Sequence, residues 1–323
     1  MGLKVSVAMC TYNGRLYLEE QLKSIAAQSR VPDELVVCDD GSQDGTMDIL
    51  KVFKKNSPFP VRIYVNEKNM GSTKNFEKAL SLCGGDIIAF SDQDDVWRPE
   101  KLEKILKVFS SAPSVGLVFT DAEVVDKELK PLDYSMWDTV NFTEKDKKNV
   151  INGKAVYTLL RRNVATGATM AFRSCYRDAF LPIPENWYHD AWVAFIISVL
   201  TGIGFIDEQL IKYRQHSGQQ IGGARNSGFK WDEALRDNSK YYESELDHYD
   251  TAYKRLIEIK AKLPHGNKTV RIVEDRLNYL YWRSHLPGQR LKRLPGIFKN
   301  IFQLQYHRYS NGFVSALKDL LLN

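Results

Sequence analysis

The chain is short of features that would simplify its reading. It has four cysteines in 323 residues, Cys10, Cys38, Cys83 and Cys175, with no CxxC pair among them. That excludes a disulfide scaffold and a cysteine zinc site, and it predicts buried reduced thiols in a reducing compartment. No apolar run reaches the roughly 20 residues a membrane span needs. The stretch Ala191 to Ile206 comes nearest, but it is broken by Ser198, Thr201, Gly202 and Gly204. Internal repeats and low-complexity tracts are lacking. The net charge of +5 is too modest to argue for nucleic acid. Lys4 to Met9 reads as a strand at once, leaving no room for a signal peptide, so the expectation is a cytoplasmic protein.

What is present is an alternation of strand and helix patterns over the first 125 residues. Strands are expected at Lys4–Cys10, Glu34–Asp39, Val61–Asn66, Asp86–Ser91 and Val115–Val125. Helices with apolar faces are expected at Arg15–Ala27, Thr46–Lys55, Ser72–Cys83 and Pro99–Ser111. This order implies an α/β fold with a mostly parallel sheet flanked by helices. From Asp126 to Asn152 the chain reads as a polar excursion. A loop then leads to a strand near Phe172, an apolar helix opens at Ala191, and a further strand covers Phe205–Tyr213. Gly222, Gly223 and Gly228 mark a boundary, followed by a helical region. The expected domains are 1–225, divided near 125 into two halves, and a helical subdomain over 226–323.

Acidic residues gather where open sheets place ligands, after the strands. Ser91-Asp92-Gln93-Asp94-Asp95-Val96-Trp97 follows the fourth strand. Its hard oxygen ligands suit Mg2+ or Mn2+ held together with substrate phosphates, and helix capping is the rival reading. Asp39-Asp40-Gly41-Ser42-Gln43-Asp44-Gly45-Thr46 follows the second strand. There Asp40 can accept from a pyrimidine ring or a ribose hydroxyl, Gly41 and Gly45 allow tight turns, and Thr46 can cap the next helix. Thr11-Tyr12-Asn13-Gly14 offers polar contacts after the first strand. Lys74, in the first turn of a helix, favours an anion. Asp190 opens an apolar helix, where it could be a base or merely an N-cap. Arg214 could clamp phosphate, and His216 could ligate a metal.

Taken together, Thr11–Gly14, Asp39–Thr46 and Ser91–Trp97 resemble the family-2 inverting glycosyltransferases of the GT-A fold. Thr166–Arg173, His189-Asp190-Ala191-Trp192 and Tyr213–His216 look like the bacterial rhamnosyltransferases of surface-polysaccharide synthesis within that family. The resemblance implies a metal-dependent enzyme moving one sugar from dTDP-rhamnose or a UDP-sugar to a glycan or lipid-linked acceptor. By position it makes residues up to about 125 the nucleotide-sugar-binding half, 126–225 the acceptor half, and Asp190 the catalytic base. It gives Thr11, Asn13, Asp40 and Asp92 to the nucleotide-sugar, Thr166 and Gly167 to the acceptor, and Asp94, Asp92 and His216 to the metal; Tyr12, Lys74 and Arg214 join the expected nucleotide-sugar contacts, and His189 and Trp192 the acceptor contacts. The Gln-x-x-Arg-Trp motif of processive members is lacking, because Leu294 follows Arg293. A sugar-phosphate nucleotidyltransferase and a non-catalytic nucleotide-sugar-binding protein are the alternatives. The C-terminal region interleaves basic and aromatic residues. It reads either as a packed helical subdomain or as a peripheral membrane contact on the cytoplasmic face.

Overall fold

A computed structural model describes residues 2–219 and 239–321. The expected boundary at Gly222 to Gly228 lies outside the described residues. The chain forms two compact units, one from residues 2–155 and 163–219, the other from 156–162 and 239–321.

The first unit opens with β1 (Val5–Thr11), α1 (Leu18–Ala26), β2 (Glu34–Asp39), α2 (Thr46–Asn56), β3 (Val61–Val65), α3 (Ser72–Leu82) and β4 (Ile87–Ser91). β5 (Val96–Trp97), α4 (Lys101–Ser111) and β6 (Val115–Val125) follow. β1 and β4 are buried along their whole length, as expected of strands covered on both faces. Helices such as α1 turn Leu18, Leu22 and Ile25 onto them at helical spacing. The stretch read as a polar excursion instead holds β7 (Pro131–Ser135), α5 (Met136–Val140) and α6 (Glu144–Ile151). Its polar residues are partly spent on caps: Ser135 with Asp138 and Thr143 with Asp146 close reciprocal capping boxes. α7 (Ala155–Leu159) passes into the second unit at Val156, and the first unit resumes with β8 (Met170–Arg173), α8 (Arg177–Phe180), α9 (His189–Leu200) and β9 (Gly202–Arg214).

The sheet order is β3-β2-β1-β4-β8-β6-β9-β5, with β7 pairing β6. β3, β2, β1 and β4 run parallel, with Thr11 beside Asp39 and Met9 beside Ser91. The loops after β1, β2 and β4 therefore leave along one edge. β8 runs antiparallel to both β4 and β6. Its reversal brings residues 166–169, which precede it, to that same edge. β9 runs antiparallel to β5, pairing Lys212 with Val96, and so delivers Arg214 and His216 beside Asp94 and Asp95. Cys10, Cys38 and Cys83 are buried free thiols, whereas Cys175 is exposed.

The second unit contains α10 (Ser239–Glu258), α11 (Asn267–Ser284), α12 (Arg290–Phe302), α13 (Gln305–Tyr309) and α14 (Phe313–Leu321). Its core includes Leu256, Val273, Tyr279, Leu280, Ile297 and Tyr306. Part of its positive charge is turned inward. Arg283 donates to Asp319 from Nε at 3.1 Å and Nη2 at 2.5 Å, and Arg293 donates to the Asp319 carbonyl at 3.0 Å. The Asp319 carboxylate also accepts from Tyr306 Oη at 2.8 Å, which leaves it fully engaged.

Candidate active site

The loops at the sheet edge are stitched to one another before any ligand is considered. Asp39 accepts from Thr11 Oγ1 at 2.7 Å and from Ser42 Oγ at 2.6 Å. Thr46 does not cap α2. Gly45, in the left-handed region at φ 95°, occupies that position, and the Thr46 hydroxyl accepts from the Gly14 amide at 2.9 Å. Gln93 clasps the Tyr12 backbone, accepting from its amide at 2.8 Å and donating to its carbonyl at 3.0 Å. A Cβ on Gly14 would lie 2.3 Å from Gln93 Oε1, so a side chain there would push Gln93 off the Tyr12 backbone.

These loops enclose a cavity of about 460 Å³. Of the expected residues, Thr11, Tyr12, Asp40, Asp92, Asp94, Thr166, Gly167, His189 and Asp190 line it. Five others do not. Asn13 accepts from the Gln43 amide at 2.9 Å and braces the neighbouring loop. Lys74 is held by Glu77 and by the Ile183 carbonyl at 2.7 Å. Trp192 lies two residues beyond Asp190, about 200° round the helix. It is therefore buried behind α9, donating to the Phe180 carbonyl at 2.7 Å. Arg214 is buried under the acidic loop and donates to the Asp94 carbonyl at 2.7 Å, the Lys127 carbonyl at 2.6 Å and Glu20. Its guanidinium lies over the Tyr17 ring, a partner no sequence signal announces. His216 stands outside the lining but against Asp94, with Nε2 2.9 Å from Oδ2.

Asp190 is fixed by the turn before β8. Its Oδ2 accepts from the Gly167 amide at 3.0 Å and from Asn163 Nδ2 at 3.2 Å. Gly167 suits this approach, since a Cβ there would lie 3.1 Å from His189 Nε2. His189 stacks on Phe76 at 4.0 Å and meets the edge of Phe90, and among the described residues neither ring nitrogen has a hydrogen-bond partner. Burial lowers its pKa, opposed by the charge of Asp190. Asp40 orders the loop before α3, accepting from Met70 and Gly71 amides at 2.9 Å and from Asn66 Nδ2 at 2.7 Å.

The acidic loop is crowded with charge. Burial, then the Asp94 and Asp190 carboxylates, push Asp92 up to about 7, with Lys101 pulling the other way. Burial, then the Asp94 and Asp92 carboxylates, hold Asp95 well above the carboxylate range, and its Oδ2 has no partner among the described residues. Lys101, fully buried, lies 3.6 Å above the Trp97 ring and donates to the Ala168 carbonyl at 2.8 Å. Burial pulls its pKa well down, while Asp95 and Asp92 raise it. Asp39, Asn75, Gln93, Lys101 and Asn163 were not singled out as site residues. Only the doubled acids at 39 and 40 and the Gln set between two aspartates hinted at any of them.

This donor chemistry fits a divalent cation. A crowded pair of carboxylates with raised affinity for protons is relieved by added positive charge. Among the described residues no three His, Cys, Asp or Glu side chains are arranged as a ready metal cluster. A cation here would need further ligands, such as substrate phosphates, to complete its shell. His216 Nδ1 accepts from the Gly218 amide at 3.2 Å, so in this arrangement Nε2 carries the proton and donates to Asp94. That makes His216 the group that orients Asp94.

Residues 6–173 match the profile of glycosyl transferase family 2. The chain belongs to that family. The family-2 chain is similar to TuaG of Bacillus subtilis, named for teichuronic acid biosynthesis. It is 36% identical over 150 residues, covering 46% of this chain and 59% of that one. It is also similar to the dTDP-rhamnosyl transferase RfbG of Shigella flexneri, at 38% over 110 residues, 32% of this chain and 38% of that one. The matches span 59 to 65% of the length of the first curated relatives. Among solved structures, Staphylococcus aureus TarS 1-349 in complex with UDP-GlcNAc superimposes with a TM-score of 0.58. It has 19% identity and covers 90% of this chain and 75% of that one. The family-2 chain therefore has the GT-A fold with a C-terminal helical region.

Proposed function

We propose that the protein is an inverting glycosyltransferase. It moves one sugar from a nucleoside-diphosphate donor, dTDP-rhamnose or a UDP-sugar, to a hydroxyl of a glycan or lipid-linked acceptor in surface-polysaccharide synthesis. The observation that carries this reading is that Asp190 and the Asp92–Asp94 loop line one cavity. Family membership and the likeness to RfbG and TuaG support the donor class and the pathway class.

Asp190 takes the proton of the acceptor hydroxyl as that oxygen forms its bond to the anomeric carbon. The bond from that carbon to the diphosphate breaks on the opposite face, its electron pair leaves on the phosphate oxygen, and the configuration inverts. The Gly167 amide and Asn163 hold the base in place. Thr11, Tyr12 and Asp40 form the nucleoside side of the cavity. The diphosphate meets the start of α3, where Gly71 and Ser72 line the wall. Asp94, set by His216 and flanked by Asp92, would hold Mg2+ or Mn2+. Such a cation, when bound, stabilises the charge on the departing diphosphate. Arg214 and Lys74 act as supports for the loops that make these contacts.

Thermal-shift screening with dTDP-, UDP- and GDP-sugars in the presence of Mg2+ or Mn2+ identifies the donor, and product analysis follows. The expected result is a donor-dependent rise in midpoint and release of nucleoside diphosphate. Release of pyrophosphate would instead mark a nucleotidyltransferase, and binding without turnover on any acceptor would mark a non-catalytic binding protein.

A further inference from the structure

The C-terminal unit carries an apolar surface that its own packing does not cover. On α12, Leu291, Pro295, Phe298 and Phe302 recur at intervals of four, three and four and form one stripe. Leu291 is 79% exposed and Phe302 85%. The opposite face of the helix holds the buried Arg293, Ile297 and Asn300. α14 packs beside α12 and repeats the arrangement, burying Ser315, Ala316 and Asp319 while exposing Phe313, Val314, Leu317 and Leu321. Leu304, between them, is also exposed. Isolated exposed apolar residues are ordinary, whereas a clustered set of this kind marks an interaction surface.

The charge around this surface selects the partner. Arg290, Lys292, Lys299 and Arg308 are all exposed. Lys292 and Lys299 lie about 90° round the helix from the stripe, on its flank. The single carboxylate between residues 285 and 321 is Asp319, which is buried and neutralised by Arg283. An apolar stripe of Phe and Leu with basic flanks and no exposed acid is suited to the interface of a bilayer with negative headgroups. None of the described helices is long and apolar enough to cross a membrane, so the contact is with the surface.

We propose that the exposed face of α12 and α14 docks on an anionic lipid bilayer, inserting Leu291, Phe298, Phe302 and Phe313 among the acyl chains while Lys292 and Lys299 meet the headgroups. The surface stands by itself; only its purpose, bringing the catalytic unit to a lipid-linked acceptor, rests on the transfer reading.

The test is co-sedimentation of the full chain with sucrose-loaded vesicles, without donor or acceptor, so its outcome is independent of whether transfer occurs. Wild type should pellet with phosphatidylcholine–phosphatidylglycerol vesicles at roughly two to one, and bind pure phosphatidylcholine at least about tenfold more weakly. Phe298→Ser with Phe302→Ser should reduce binding to the mixed vesicles by about tenfold or more. Lys292→Glu with Lys299→Glu should do the same and flatten the salt dependence. Circular dichroism matching wild type confirms that both exposed pairs leave the fold intact. Wild type remaining in the supernatant would overturn the inference, as would Phe variants that pellet like wild type. A wild-type dimer seen by light scattering, dissolved by the Phe substitutions and indifferent to vesicles, would assign the face to a second copy of the chain instead.

Discussion

Replacing Lys101 by Met should damage both the stability of the catalytic unit and the chemical step, although Lys101 does not line the cavity. Its ammonium is buried, donates to the Ala168 carbonyl at 2.8 Å and lies 3.6 Å above Trp97. Methionine keeps most of the packing and removes the charge. A hydrogen bond from a charged group is worth about 1.5–3 kcal/mol, and a desolvated cation–π contact about 2. Against this, the substitution removes the cost of burying an ammonium, and Asp95, already held well up, can stay protonated. The net loss should be about 2–4 kcal/mol, a fall in Tm of roughly 4–16 °C at the 2–4 °C per kcal/mol typical of this size. The functional consequence runs through the turn that Ala168 shares with Gly167, whose amide holds Asp190. Loosening a base by about 1 Å costs on the order of a hundredfold in rate. kcat should therefore fall by about that factor, while donor affinity, which the proposed function assigns to contacts on the other side of the cavity, changes less than about threefold. Differential scanning fluorimetry and steady-state kinetics measure both. A Met variant with Tm within about a degree of wild type and kcat within about twofold would show that Lys101 supports neither the fold nor Asp190.

Three other outcomes are expected. Asp94→Ala should abolish the gain in nucleoside-diphosphate affinity that Mn2+ confers, read by calorimetric titration with and without the ion; equal affinities for variant and wild type would remove Asp94 from the metal role. Because burial lowers the folded pKa of His189 below its unfolded value, the unfolded chain binds more protons between the two. The contribution is intact above about pH 6.5 and is lost as pH falls toward the folded value, at no more than about 1.4 kcal/mol per pH unit. His189→Phe should flatten that acid-side decline in denaturant-unfolding experiments, and an unchanged slope would contradict it. Vesicle binding should separate from catalysis, with the Phe298 and Phe302 substitutions sparing turnover on a soluble acceptor analogue, which an activity assay without lipid checks.

The parallel half of the sheet was legible because each strand from β1 to β4 is a short apolar run ended by turn residues. The same pattern located the acidic loops, since residues following such strands share one edge. The reversal of β8 was not legible. Met170–Arg173 is too short to declare a direction, and direction is what carries Gly167 to Asp190. The residues read as phosphate or acceptor contacts but engaged elsewhere share a cause. Lys74, Trp192 and Arg214 have long side chains whose reach is set by tertiary neighbours, the Ile183, Phe180, Asp94 and Lys127 carbonyls. Short side chains beside the strand ends, Thr11, Asp40, Asp92 and Asp94, stayed where the backbone put them. Lys101 was hidden for the opposite reason. A lysine in the first turn of an amphipathic helix looks solvated until the loop packed over it is known.

Asp190 is proposed as the base in a cavity that binds the donor independently of it. Single-turnover transfer by Asp190→Asn, measured with the donor at saturation and alongside the donor dissociation constant, tests this most directly. The substitution keeps the shape and the acceptor oxygen for the Gly167 amide but removes the basicity. The expected result is a loss in kcat of at least about a hundredfold with donor affinity preserved within about threefold. Near-normal turnover in the Asn variant would contradict it.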